Sequence, residues 1–186
     1  NYANAIRRHG HLMAKLNPLE YEPRPTPPEL DPQTYGITEA DLAELPADAV
    51  TVWDNQRQFA NALEAINHLR AVYSGSTAYE FLHIQDRTER YWLREAAESG
   101  RYERPLTSEE KQALLRRLTE VEAFERFLHQ AYLGQKRFSI EGNDTLVPVL
   151  DEAIRLAAQQ GIKRAVIGMA HRGRLNVLAH VLRKPY

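Results

Sequence analysis

The chain has no cysteine. That excludes a disulfide framework, a thiolate zinc site and a cysteine nucleophile, and it accords with a reducing compartment. Nor is there a surplus of charge, since 24 basic and 25 acidic residues leave a formal net charge of -1. Surfaces built for nucleic acid or for anionic membrane need a basic excess, so neither partner is expected and any basic site has to be local. No apolar run approaches the roughly 20 residues of a membrane helix. Neither an initiator Met nor a signal-like segment opens the chain at Asn1. Both ends are expected to be truncations, because the text halts at Lys184-Pro185-Tyr186, a few turns into its last periodic segment. What is present is a hydrophobic content of 43% over 186 residues, enough to bury a core in one domain or in one domain and part of another.

Up to about residue 133 the periodicity is helical. Residues 2 to 16 read as a helix weakened by Gly10. Residues 17 to 36 hold six prolines and predict a stiff, irregular connection that Leu19, Tyr21 and Tyr35 can anchor. Thr38 and Asp41 can cap a short helix, and Asp54 precedes a stripe of Phe59, Leu63, Ile66, Leu69, Val72 and Tyr73 that ends at Ser74-Gly75-Ser76. A further helix is expected through "RTERYWLREAAESG". Thr107 and Glu110 make a capping box ahead of one long helix, or of two joined near Thr119.

After Gly134 the texture changes. "KRFSIEG" alternates like a short strand, "NDTLVPVLDEAIRLAAQQG" starts on an Asn/Asp cap and runs helical, and "KRAVIGM" predicts a buried strand near 164–169. The fold class expected is a mostly α-helical region over 1–133 leading into the start of an α/β domain over 134–186. No internal repeat is present.

The stretch "VIGMAHRGRLNVLAH" concentrates the chemistry. Gly168 and Gly173 bracket a turn between the expected strand and the helical spacing of "LNVLAHVLRK", and a helix start presents free amides to anions. Arg172 and Arg174 add fixed cations and forked donors suited to phosphate or carboxylate. His171 stands at the edge of that field, with a neutral ring able to donate and accept. A structural role for His171, and carboxylate pairing for the arginines, are the competing readings. The spacing fits neither a phosphate-binding Lys-Ser/Thr loop nor a dinucleotide glycine fingerprint. His9 and His11 lie two apart, which suits no metal site on a helix, His83 is expected to be packed, and Asp151 and Glu152 face different ways.

The stretches "RFSIEGNDTLVPVLDEAIRLAAQQG" and "AVIGMAHRGRLNVLAHVLRK", with "HGHLMAKLNPL", "YGITEADL", "YSGSTAYEFLHI" and "ERYWLREAAESG" upstream, resemble the thiamine-diphosphate-dependent first component of the 2-oxoglutarate dehydrogenase complex. The likeness covers almost the whole chain. Departures from the family wording are His9-Gly10-His11, Asn17-Pro18-Leu19 and Gly142-Asn143-Asp144. The acidic residues that bind calcium in the animal enzyme's early region have no counterpart here, so calcium regulation is not expected.

The resemblance implies oxidative decarboxylation of 2-oxoglutarate with succinyl transfer to the lipoyl domain of a dihydrolipoyl succinyltransferase, dependent on thiamine diphosphate and magnesium. It places Arg172 on the cofactor's diphosphate and His171 against the 2-oxo acid, with Gly168, Gly173, Arg174 and Asn176 holding the loop. It also implies a homodimer, in the cytoplasm if bacterial or the mitochondrial matrix if eukaryotic. The magnesium-binding Gly-Asp-Gly motif and the activating glutamate do not occur in these residues, so the chain alone is expected to be inactive. The alternatives are a 2-oxoadipate dehydrogenase of the same family, whose substrate is one methylene longer, and a non-catalytic helical interaction module.

Overall fold

The computed structural model describes residues 1–17, 19, 24–51 and 59–185, and the chain divides into two compact units, Asn1–Arg104 and Pro105–Tyr186. Among the described residues every regular element is helical.

In the first unit, α1 (Tyr2–His9) stops where a 3-10 turn, Gly10–Met13, takes over. The helix expected to reach residue 16 is therefore shorter, and Gly10 supplies the reason. A Cβ on Gly10 would lie 2.6 Å from the Cβ of Tyr73, so the residue that weakens the helix also permits its close approach to α3 (Ala62–Tyr73). The proline-rich stretch resolves into two 3-10 turns, Pro28–Leu30 and Pro32–Tyr35, the second capped by the Asp31 side chain and closed by Gly36 at φ 64°. Tyr35 does act as an anchor, with its ring 5.5 Å from that of Tyr2 and its hydroxyl donating to the Glu29 carbonyl. Leu19 does not, being 70% exposed. Tyr21 lies outside the described residues.

Thr38 and Asp41 form the expected capping box on α2 (Glu39–Glu44). Asp54 and the first part of the helix expected from residue 55 lie outside the described residues. α3 itself begins at Ala62, because the Asn61 side chain accepts from the Glu64 amide. α4 (Arg87–Ser99) is capped by Asp86 and ended by Gly100 at φ 65°. Tyr2, Ile6, Leu42, Ile66, Leu69 and Tyr73 make the core of this unit. Ile66, 1% exposed, contributes about 2 kcal/mol by burial alone. His83, expected to be packed, is exposed.

In the second unit, α5 (Ser108–Ala131) is a single helix opened by the Thr107–Glu110 capping box and unbroken at Thr119. It packs with α6 (Leu146–Gln159), whose N-cap is Thr145; neither Asn143 nor Asp144 caps it, and Asp144 accepts from the Gly142 amide instead. The core here is small: Val121, Ile140 and Val147, with Leu146 and Val181 against it. Because α5 packs with α6 and with the short helix Arg174–Asn176, α7, the two units part between Arg104 and Pro105, ahead of the change of texture at Gly134.

Two strands expected from the sequence are absent. Residues 136–140 and 162–170 carry no strand pairing, and Val166, expected in a buried strand, is 91% exposed. A strand is held by hydrogen bonds from a neighbour, and no neighbouring strand occurs among the described residues. The helix expected after the loop is also short: α7 (Arg174–Asn176) passes directly into a π-helical turn, Val177–Val181.

Candidate functional site

Residues 168–176 form a loop and a short helix tied down from beneath. Gly173 has φ 76°, a left-handed conformation, and a Cβ there would meet Ile140 Cδ1 at 2.7 Å and Cγ1 at 3.0 Å, so both backbone and space require glycine. Its amide donates to the Phe138 carbonyl at 2.8 Å, and the Arg174 amide donates to the His171 carbonyl at 3.1 Å. Two of the early amides expected to attract an anion are therefore engaged within the chain. With only three residues in α7, no helix dipole supports the site. At Gly168 no atom lies within 4 Å of where a Cβ would stand, and φ is not positive, so neither crowding nor conformation demands glycine there.

The side chains divide into two groups. Asn176 is fully buried and donates from Nδ2 to the Val121 carbonyl at 3.2 Å and to Glu125 Oε1 at 3.0 Å, fastening the loop's end to α5. His171, Arg172 and Arg174 are exposed. Arg172 Nη1 donates to the Ser139 carbonyl at 2.8 Å, which fixes one edge of the guanidinium and leaves its other N–H groups to solvent. The His171 ring rests on Phe138 at 4.1 Å between centroids, and neither ring nitrogen has a hydrogen-bond partner among the described residues. Among the described residues no carboxylate lies within ion-pair distance of Arg172 or Arg174. The loop therefore offers an anchored cation and an uncommitted imidazole side by side.

Three residues at this site escape a reading of the sequence. Phe138 supports His171 from a backbone at φ 50°, rare for a bulky side chain, and sits in a segment whose alternation suggested a strand. Ile140 makes Gly173 obligatory, a non-local contact with no local signal. Glu125 had one: with Val121 four residues before it and Leu128 three after, it falls on the buried stripe of α5, where a carboxylate is out of place unless it is hydrogen-bonded.

Near the end of the unit, Arg117 bridges α5 to α6 and to the π-helical turn. It binds Asp151 at 2.7 Å and the His180 carbonyl at 2.7 Å. Asp151 and Glu152 indeed face different ways, the first toward Arg117 and the second toward Arg155. Among the described residues no three His, Asp or Glu side chains converge to hold a metal, and no helix is long and apolar enough to cross a membrane.

No family model matches the chain. Curated relatives do. The 2-oxoglutarate dehydrogenase E1 components of Geobacillus sp. (strain WCH70), Bacillus velezensis and Shouchella clausii are 51%, 50% and 48% identical to it over 184, 185 and 184 residues. Each match takes in 99% of this chain and 19% of the relative, so the chain spans a minor part of the length of the proteins it is similar to.

Proposed function

We propose, from likeness to 2-oxoglutarate dehydrogenase E1 components along almost every residue, that the protein carrying this chain decarboxylates 2-oxoglutarate oxidatively and passes the succinyl group to a lipoyl domain of a dihydrolipoyl succinyltransferase. The observation that carries this reading is identity near one half over 99% of the chain. In this reading the working unit is a homodimer, and with bacterial relatives the location is the cytoplasm.

Bound thiamine diphosphate would supply the electron sink that lets carbon dioxide leave, and the protein's part is to bind, orient and stabilise charge. The residues fit such a group. Arg172 holds one guanidinium edge on the Ser139 carbonyl and keeps the remaining N–H groups for an anion, which suits a diphosphate oxygen. His171, tilted against Phe138, leaves both ring nitrogens unengaged, one to donate to a carboxylate or to oxygen on which charge develops and the other to accept. Gly173 and Asn176 keep this pair in register with α5, and Arg174 adds positive potential without a fixed contact. Gly168 opens the loop at a point where a side chain would meet nothing within 4 Å. Magnesium accompanies the diphosphate in this reading, with its ligands outside the residues of this chain.

The test is carbon dioxide release by the full-length protein with thiamine diphosphate and magnesium, comparing 2-oxoglutarate with 2-oxoadipate. Preference for 2-oxoglutarate supports the reading. Preference for the longer acid shifts it to a 2-oxoadipate dehydrogenase, and turnover of neither removes it.

A further inference from the structure

The first unit contains a pocket of about 460 Å³ between α1, α4 and the turn at Pro32–Tyr35, a size typical of small-molecule sites. Its polar lining includes Asn4, Arg8, His9, Tyr35, Tyr91 and Arg94, and no carboxylate lines it among the described residues. In a chain whose basic and acidic residues nearly cancel, such a one-signed wall is a local departure. Arg7, which also borders the pocket, is neutralised from within. Its guanidinium binds both oxygens of buried Glu98, at 2.7 and 3.0 Å, and the Tyr73 hydroxyl takes a further contact on Oε1. Glu98 is thereby committed to Arg7 and Tyr73, although it lies one helical turn from Arg94 on α4.

Arg8 and Arg94 form no ion pair among the described residues, whereas Arg70, Arg101, Arg117, Arg126 and Arg155 each reach a carboxylate. Arg94 is also held in place: its guanidinium lies 5.3 Å from the Tyr91 ring centroid, and Arg87 lies 5.2 Å from the same centroid. The hydrogen bond from Arg87, and after it the charges of Arg87, Arg94 and Arg90, hold the Tyr91 hydroxyl below the usual phenol range, a sign of the positive field at this rim. The Asn4 amide nitrogen and His9 supply further donors, since Asn4 uses only its oxygen on Arg7.

We propose that this pocket binds a small dianion, a phosphate-bearing or dicarboxylate metabolite, with Arg94 and Arg8 as the charged contacts. A forked guanidinium restrained by an aromatic ring loses less freedom on meeting an oxyanion than a free one does, which favours binding here over a solvated basic face. No carboxylate among the described residues of the walls competes with an incoming anion for Arg94 or Arg8. The proposal does not depend on the reading of residues 168–176, which belong to the other unit.

The experiment is calorimetric titration of the full-length protein, saturated with thiamine diphosphate and magnesium, with inorganic phosphate and separately with succinate at constant ionic strength. Saturable binding of at least one probe is expected; phosphate alone identifies a phosphate site and succinate alone a carboxylate site. Arg94→Ala should weaken it about tenfold or more, as for loss of a charge-assisted contact, and Arg94→Lys less. Arg8→Ala, at an exposed side chain, should weaken it without disturbing the fold, and Arg172→Ala should leave it unchanged. Titrations that do not saturate, or affinities in Arg94→Ala and Arg8→Ala that match the unsubstituted protein, overturn the proposal. So does loss of binding in Arg172→Ala alone, which would assign the probe to the loop at 168–176.

Discussion

The amide of Asn176 and the carboxylate of Glu125 meet at 3.0 Å in a buried setting, the first 0% and the second 3% exposed, and this contact joins the end of the loop at 168–176 to the middle of α5. Each retains one side-chain oxygen, Glu125 Oε2 and Asn176 Oδ1, without a protein partner. Removing one member leaves the other's polar group stranded, whereas removing both can be nearly neutral. Asn176→Ala should therefore lower stability by about 2 to 4 kcal/mol, and the pair Asn176→Leu with Glu125→Met should lower it by much less. A double-mutant cycle by chemical denaturation checks this, and equal, additive losses would contradict it.

At Gly173 both the positive φ and the approach of Ile140 act against any side chain. Gly173→Ala should cost about 1 to 3 kcal/mol and displace the loop, with Ile140→Val recovering little because the Ile140 Cβ itself lies 3.3 Å away. Denaturation midpoints of the single and double variants measure this. A neutral Gly173→Ala would show that the loop relaxes at no cost.

In the other unit, the pairing of Arg7 with Glu98 is buried, with side chains 4% and 0% exposed. Glu98→Ala should destabilise by about 3 to 5 kcal/mol by leaving a guanidinium uncompensated. Glu98→Gln should cost less, since it keeps the shape and an acceptor. The Tyr73 hydroxyl, pushed far above the phenol range by burial and then by Glu98, should not ionise up to the alkaline limit of the fold, which ultraviolet difference titration reads directly.

Two capped helices were legible because a cap is local: Thr38 with Asp41, and Thr107 with Glu110, both sit where a three-residue spacing puts them. What was not legible depended on residues far away in the chain. The apolar run at 164–169 has strand composition, but composition provides no hydrogen-bonding neighbour. The early end of α1 is set by Tyr73, 63 residues beyond Gly10. Within the candidate site, His171 and Arg172 were singled out by residue type and Asn176 by the resemblance, yet the division between exposed groups and a buried fastening required the positions of Phe138, Ser139 and Glu125.

His180 gives a dependence on pH. Burial, and then the charge of Arg117, hold its ring below the ordinary value of 6.5, outweighing the opposite pull of Glu120 and Asp151. As pH falls through 6.5 the unfolded chain takes up the proton before the folded one, so stability present above that value is lost as pH drops toward the folded-state pKa. The thermal midpoint should thus decline between about pH 7 and 5, and His180→Gln should flatten the decline. A midpoint rising over that interval would reverse the sign and contradict the assignment.

In the proposed function Arg172 serves cofactor binding and His171 serves the chemistry. The most direct test is turnover of 2-oxoglutarate by the full-length Arg172→Ala and His171→Ala proteins across a thiamine diphosphate titration, with circular dichroism confirming that both fold. Arg172→Ala should bind cofactor about 10- to 100-fold more weakly and recover turnover when cofactor is raised. His171→Ala should bind cofactor nearly normally and lose about 100-fold or more in turnover that no excess of cofactor restores. Near-normal turnover by His171→Ala at saturating cofactor and substrate would contradict the account and reduce the site to an anion-holding loop.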